Sequence, residues 1–319
     1  MKKQKKQQYR VRNWREYNAA LVKRGSLTVW LDEAALSDWM EPHRSGRRGA
    51  SRTYSQAAIQ AILLLKAVYH LPLRGAQGFV ESLLKLMGLS WPVPHYSTLS
   101  RRQAGLELEV PRLGKNESVH LVVDSTGCKV YGEGEWKVRT HGASKKRTWR
   151  KLHLGIDERS GEIVAAVLSS NNLSDGEALP MLLEQVEEPI AQLSGDGGYD
   201  QRPCYEVLQR REVEQEHALK VTIPPRQGAR IWRHGNKKED RLARDENLRE
   251  IRRVGRKRWK QQNGYHRRSL AETAMFRYKR IIGERLRARD FTRQAKEAFI
   301  GVLILNQMTN LGMPHSYPL

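Results

Sequence analysis

Cysteine is scarce in this chain of 319 residues, and Cys128 and Cys204 lie far apart with no C-x-x-C element. That spacing argues against a structural zinc site. No uninterrupted apolar run of about eighteen residues occurs, so no membrane span and no membrane partner are expected. The opening M-K-K-Q-K-K-Q-Q-Y-R lacks an apolar h-region, and a reducing, cytoplasmic setting is expected. No G-x-x-x-x-G-K-[S/T] element is present, which disfavours a P-loop ATPase. None of the ten histidines has arginine three residues on, so the H-x-x-R element of a tyrosine recombinase is missing. No internal repeat is visible.

Acidic residues are outnumbered. Lys and Arg total 57 against 35 Asp and Glu, a formal net charge of +22. Self-repulsion on this scale suits a protein whose partner is a polyanion, and nucleic acid is the leading choice. Runs such as Arg252-Arg253 and Arg256-Lys257-Arg258 suit phosphate contacts, which supply affinity and little sequence information.

The pattern along the chain divides it in three. Residues 1–25 read as a basic arm, ordered mainly on DNA, with a short solvated helix as the alternative. Residues 26–112 read as helical. S-Q-A-A-I-Q-A-I-L-L-L-K-A-V-Y-H ends at Leu71-Pro72, a second helix stops at Gly88, and H-Y-S-T-L-S-R-R-Q opens a third with Ser97 as N-cap. This order fits a helix-turn-helix module whose last helix enters a major groove, with Arg101 and Arg102 as DNA contacts. It fits a plain helical packing subdomain as well.

Residues 113–312 read as α/β. V-H-L-V-V-D is a buried strand, and two further strands form a hairpin around Arg159-Ser160-Gly161. A helix after Ser174-Asp175-Gly176, a fourth strand, a helix and a fifth strand follow. Residues 226–262 hold fourteen Lys or Arg against five acids and are expected to add little core. Two apolar-striped helices close the chain, near 268–284 and 294–310. This order is that of a ribonuclease-H-like domain: a mixed five-stranded sheet with helices on both faces, preceded here by a small all-helical DNA-binding domain. Other α/β folds share so coarse a list.

Two aspartates fall where strands give out: Asp124 in V-V-D-S-T-G, and Asp196 in S-G-D-G-G-Y-D. Acids at strand ends can project into a cleft, and Asp with Gly also suits plain turns. Glu272 stands among cations. At about 100° per helical residue, Tyr265, Arg268 and Lys279 fall about 20°, 40° and 20° from it, so one helix would present all four on one face. Salt bridging at i,i+4 accounts for Arg268 but gives Tyr265 and Lys279 no reason to align.

The spacing Y-x-x-R-x-x-x-E-x-x-x-x-x-x-K resembles the signature around the third acid in DDE transposases of bacterial insertion sequences, with Tyr265, Arg268, Glu272 and Lys279 at the four positions. V-V-D-S-T-G-C-K-V-Y-G-E-G-E-W-K resembles the first-acid segment of insertion sequence family five, and S-G-D-G-G-Y-D the second-acid segment. The resemblance runs from about residue 50 to the C-terminus. It implies a transposase that binds the terminal inverted repeats of its element, cuts there, and joins the 3′-hydroxyl to target DNA. It implies Asp124, Asp196 and Glu272 as catalytic ligands of two Mg²⁺ ions, for which Mn²⁺ can substitute. Asp124 would bridge the two ions. Tyr265, Arg268 and Lys279 would hold terminal phosphates, and a homodimer or higher multimer on paired ends is expected. Trp136 suits stacking on an unpaired base or a place in a hairpin core. Asp200 suits an outer acid or, better, a turn. The alternatives are a metal-dependent nuclease of the same fold without strand transfer, and a non-catalytic DNA-binding repressor.

Overall fold

The computed structural model describes residues 9–31, 36–41, 53–110, 118–130, 149–233 and 242–318. Contacts divide the chain into two units, Met1–Glu107 with Leu303–Leu319, and Leu108–Val302.

In the first unit, strand β1 (Tyr9–Val11) pairs antiparallel with Ser316–Pro318. Asn13 fastens the junction, its Nδ2 donating to Met313 O at 3.0 Å and its Oδ1 accepting from the His315 N–H at 2.7 Å. Helices α1 (Trp14–Lys23) and α2 (Leu27–Trp30) follow. The Arg24 guanidinium donates to Gly312 O at 3.0 Å and Met308 O at 3.3 Å, satisfying carbonyls at the end of the last helix. Residues 1–8 of the expected arm lie outside the described residues, and the rest follows the helix alternative at Trp14–Lys23, with a strand before it that pairs with the chain's other end.

Helix α3 (Gln56–Val68) starts at Ser55, whose Oγ accepts from the Ala58 N–H at 3.0 Å. It buries Ile59, Ile62, Leu63 and Leu65. Helix α4 (Leu73–Leu86) meets it at 110° and ends before Gly88, whose φ of +73° needs glycine. Helix α5 (Tyr96–Gln103) starts earlier than the expected Ser97 cap. The His95 ring takes that role, accepting from the Ser97 N–H at 3.4 Å.

The second unit is a mixed α/β fold. Its elements are β2 (Val119–Val130), β3 (Trp149–Asp157), β4 (Ile163–Ser170), α6 (Asp175–Leu183), β5 (Ile190–Ser194), α7 (Arg202–Glu214), β6 (Lys220–Thr222), α8 (Ala243–Val254) and α9 (Arg256–Gln262). After these come α10 (Ser269–Ile281), β7 (Arg285–Leu286) and α11 (Phe291–Leu311), whose last turns belong to the first unit, as does β8 (Ser316–Pro318). The sheet runs β4-β3-β2-β5-β6, antiparallel across the first three strands and parallel from β2 to β6. A sixth strand corrects the expected five: β7 pairs parallel with Lys129 and Val130 of β2. At two residues it is too short to show a period in sequence.

Alternation along β2 sends its side chains to two helical layers. Leu121 and Val123 join Leu179, Leu182, Tyr205 and Leu208 in a core under α6 and α7. Each such aliphatic side chain contributes about 1.5–3 kcal/mol. From α10, Ala271, Ala274, Met275 and Tyr278 are buried. Tyr278 lies against Gly301, where an added Cβ would come within 2.7 Å of the ring.

The basic stretch at 226–262 also departs from expectation, its residues 234–241 lying outside the described set. Leu242, Leu248, Ile251 and Trp259 are buried. Helix α8 turns Leu248 and Ile251 inward with Arg244, and leaves Arg252 and Arg253 exposed, so high net charge coexists with core. Among the described residues no single helix is long and apolar enough to cross a membrane.

Candidate active site

Strand β2 keeps β3 along one edge from Leu121 to Lys129. On its other edge β5 pairs only as far as Val122 with Ser194, and β7 begins at Lys129. A gap opens between these two neighbours. Asp124 stands two residues past the last β2–β5 pair on one strand, and Asp196 two residues past it on the other. The sheet therefore delivers both predicted aspartates to the point where two parallel strands part.

Local chemistry fixes each. Asp124 Oδ1 accepts from the Ser125 N–H at 2.8 Å. Asp196 Oδ1 accepts from the Gly198 N–H at 2.7 Å, opening the short 3₁₀ turn Gly197–Tyr199. A Cβ at Gly198 would sit 2.8 Å from that oxygen, so a side chain there would fill the space beside the carboxylate. Tyr199 is buried in the core and anchors the turn. Burial pushes the Asp124 carboxyl above its ordinary range. The Ser125 N–H and Arg268 pull it down, and the negative charges of Asp196 and Asp175 push it further up.

Glu272 comes from α10 and is the most exposed of the three acids. Arg268 joins it to Asp124: one guanidinium nitrogen lies 2.8 Å from Asp124 Oδ2 and another bonds Glu272 Oε1. The predicted single helix through all four signature residues is not what forms. Tyr265 and Arg268 belong to a separate 3₁₀ turn, Tyr265–Arg268, entered through Gly264 at φ +64°. The tighter turn of about 120° per residue moves Tyr265 off the Glu272 azimuth. Its ring packs near Lys260 Nζ at 4.7 Å, the Trp259 ring at 6.4 Å and the Arg268 guanidinium at 5.9 Å, and burial raises its phenol pKa. Lys279 stays on the exposed face of α10 with Glu272.

The remaining predicted contacts lie elsewhere. Arg101 is exposed on α5, while Arg102 donates to Tyr54 O at 2.8 Å. Trp136 lies outside the described residues.

Two groups of residues were missed. Asp175, at the first turn of α6, accepts from Ser125 Oγ at 2.7 Å and lies 3.6 Å from Lys151 Nζ and 3.5 Å from His153 Nδ1. Burial lowers the His153 pKa to about 4, so the ring is neutral. In sequence Asp175 reads only as a helix-start acid, because its reach to β2 depends on the packing of α6. Asp200 closes the 3₁₀ turn Gly197–Tyr199, its N–H donating to Gly197 O at 3.3 Å, and its carboxylate does more than that turn requires. It is buried, accepting from Arg244 Nε at 2.7 Å, the Arg226 N–H at 2.7 Å and Tyr205 OH at 3.3 Å. Arg244 is equally buried and stacks over Trp232, its guanidinium carbon 3.5 Å from the ring centroid. This clasp ties the basic stretch to the turn that carries Asp196. The low exposure of a cation 44 residues away gave no signal in the chain.

The donor set is all carboxylate oxygen, which suits a hard divalent cation. The space beside Asp196 at Gly198 and the nearness of Asp124 fit one. As arranged, no group of three or more acids, histidines or cysteines among the described residues converges on a single ion position. Glu272 is held to the Arg268 guanidinium, which stands between it and Asp124.

A mixed sheet that brings carboxylates to the parting of two parallel strands, flanked by a cationic helix, has the makings of a phosphoryl-transfer centre. The family described as Transposase DDE domain matches residues 115–307, and a second family of the same description matches residues 22–133. The chain belongs to the DDE transposases, DNA-cutting enzymes whose chemistry depends on divalent metal. Among solved structures, a piggyBac transposase synaptic complex with hairpin DNA is similar at 9% identity, over 90% of this chain and 75% of that one, with a TM-score of 0.38.

Proposed function

We propose that this chain is an insertion-sequence transposase of the family-five kind, whose catalytic unit is ribonuclease-H-like. It binds the terminal inverted repeats of its element and uses Asp124, Asp196 and Glu272 to cut the ends and join them to target DNA. The observation that carries this reading is the placement of Asp124 and Asp196 at the β2–β5 gap, with Arg268 joining Asp124 to Glu272. The strand order, an antiparallel meander continued in parallel on the far side of β2, supports the fold assignment.

Asp124, Asp196 and Glu272 would hold two Mg²⁺ ions, or Mn²⁺ in their place, and bound metal supplies an activated oxygen nucleophile and a stabilised leaving oxygen. Glu272 reaches the aspartate pair once Arg268 lets go. The freed guanidinium, forked and permanently charged, then suits a DNA phosphate, and Lys279 adds a point charge on the same face. Tyr265, a neutral phenol, donates a hydrogen bond beside them. Hydrolysis leaves a 3′-hydroxyl, and that hydroxyl attacks a target phosphodiester, so no covalent protein–DNA bond is required. The helices α3 to α5 supply end recognition, with Arg101 exposed for it. A homodimer or higher multimer pairs the two ends.

The decisive test is strand transfer with pre-cleaved 3′-hydroxyl ends, supplied as duplexes cut from the DNA flanking the gene. Joined products in Mg²⁺ are expected. Metal-dependent nicking without joining would instead identify a nuclease of the same fold, and neither activity would identify a repressor.

A further inference from the structure

Helix α10 turns Ala271, Ala274, Met275 and Tyr278 inward and leaves Glu272, Thr273, Phe276, Lys279 and Arg280 exposed. Phe276 is the anomaly on that face, with 66% of its surface in water. A lone exposed apolar residue needs no explanation by itself, but the position of this one is informative. Phe79 packs on Tyr69 at 5.6 Å and Phe291 lies under the Arg150 guanidinium at 5.4 Å. Among the described residues no ring or cation packs on Phe276.

The spacing sets the ring inside the substrate path. At about 1.5 Å per residue, Phe276 lies roughly 6 Å along the helix from Glu272, and Lys279 roughly 4.5 Å beyond it. Azimuths of about 40° and 60° separate Phe276 from the two, so acid, ring and cation form one strip. A stacked DNA strand advances about 3.4 Å per nucleotide. The strip from Glu272 to Lys279 therefore spans about three nucleotides, carboxylate at one end and cations at the other. An apolar ring between them is best matched by a base face, the broadest apolar surface a strand offers. Base faces are covered in a duplex and open at an unpaired terminal nucleotide.

We propose that Phe276 stacks on an unpaired nucleobase at the cleaved DNA end, about two nucleotides from the phosphate at the Asp124–Glu272 site. The inference rests on the reading of α10 as the wall that meets that end. Stacking of one base on an aromatic ring corresponds to roughly a 5- to 150-fold change in affinity.

The experiment compares wild type, Phe276→Ala, Phe276→Trp and Lys279→Ala for binding to pre-cleaved end duplexes, intact or with an abasic site at each terminal position in turn. Phe276→Ala is expected to weaken binding to intact ends within that range, and Phe276→Trp to retain it. The loss should vanish when the abasic site removes the stacked base. Binding by Phe276→Ala equal to wild type, or a loss unchanged by every abasic position, overturns the proposal while leaving the transposase reading intact. If Lys279→Ala also binds like wild type, α10 does not face the DNA end, and the proposal falls together with the reading of α10 as that wall. Because Phe276 is exposed, an unchanged melting temperature is expected to accompany each substitution at this position.

Discussion

Arg268 stands between Asp124 and Glu272 and neutralises part of both, with its side chain about one fifth exposed. Ion pairs open to water are worth little each, about 0–1 kcal/mol, so a divalent cation with two or three carboxylates to gain can displace this one. On the proposed assignment the arginine competes with the metal and binds DNA in turn. Arg268→Ala is expected to raise the affinity for Mn²⁺ a few-fold in the absence of DNA, measured by calorimetric titration. It should also weaken binding of cleaved ends. Weaker Mn²⁺ binding in this variant would show that Arg268 organises the carboxylates instead of occupying them.

At the level of elements, the clasp between Asp200 and Arg244 joins α8 to the turn after β5. Both partners are almost wholly buried, and Arg244 also donates to Arg230 O at 2.7 Å. Removing one partner leaves an uncompensated buried charge, at a cost of about 3–5 kcal/mol, whereas removing both can be nearly neutral. Arg244→Met should therefore destabilise the protein strongly in urea unfolding. Arg244→Met with Asp200→Leu should recover much of the loss yet still impair metal-dependent cleavage, because the Asp196 turn loses its anchor. A double variant with full activity would sever the clasp from Asp196.

The same elements mark what could be read in advance. The order of strands β2 to β6, the helix beginning at Ser174 and Asp196 just past the end of β5 were legible because burial imposes periods of two and of 3.6 on sequence, whereas Asp124, expected where a strand gives out, lies inside β2, which runs on to Val130 beside β3. Glu272 was legible through its spacing from Arg268 and Lys279. The 3₁₀ turn at Tyr265–Arg268 was not, since Gly264 sets its entry by one φ angle and the residues that follow suit either helix type. The reach of Asp175 to Ser125 and the pairing of β1 with β8 join residues far apart in the chain and leave no local trace.

At the scale of the whole molecule, a formal charge of +22 accompanies a proposed site made of acids. On the proposed assignment the charge provides salt-sensitive affinity for DNA without specifying where to cut, and the carboxylates provide chemistry without holding the substrate. Affinity and catalysis should therefore separate cleanly when the acids alone are neutralised. The direct test is to compare Asp124→Asn, Asp196→Asn and Glu272→Gln with wild type for end-DNA binding and for Mg²⁺-dependent cleavage and joining. Each variant is expected to bind ends nearly as wild type does and to lose both reactions. Near-normal strand transfer in any one of the three would contradict the assignment of that residue and with it the three-acid site.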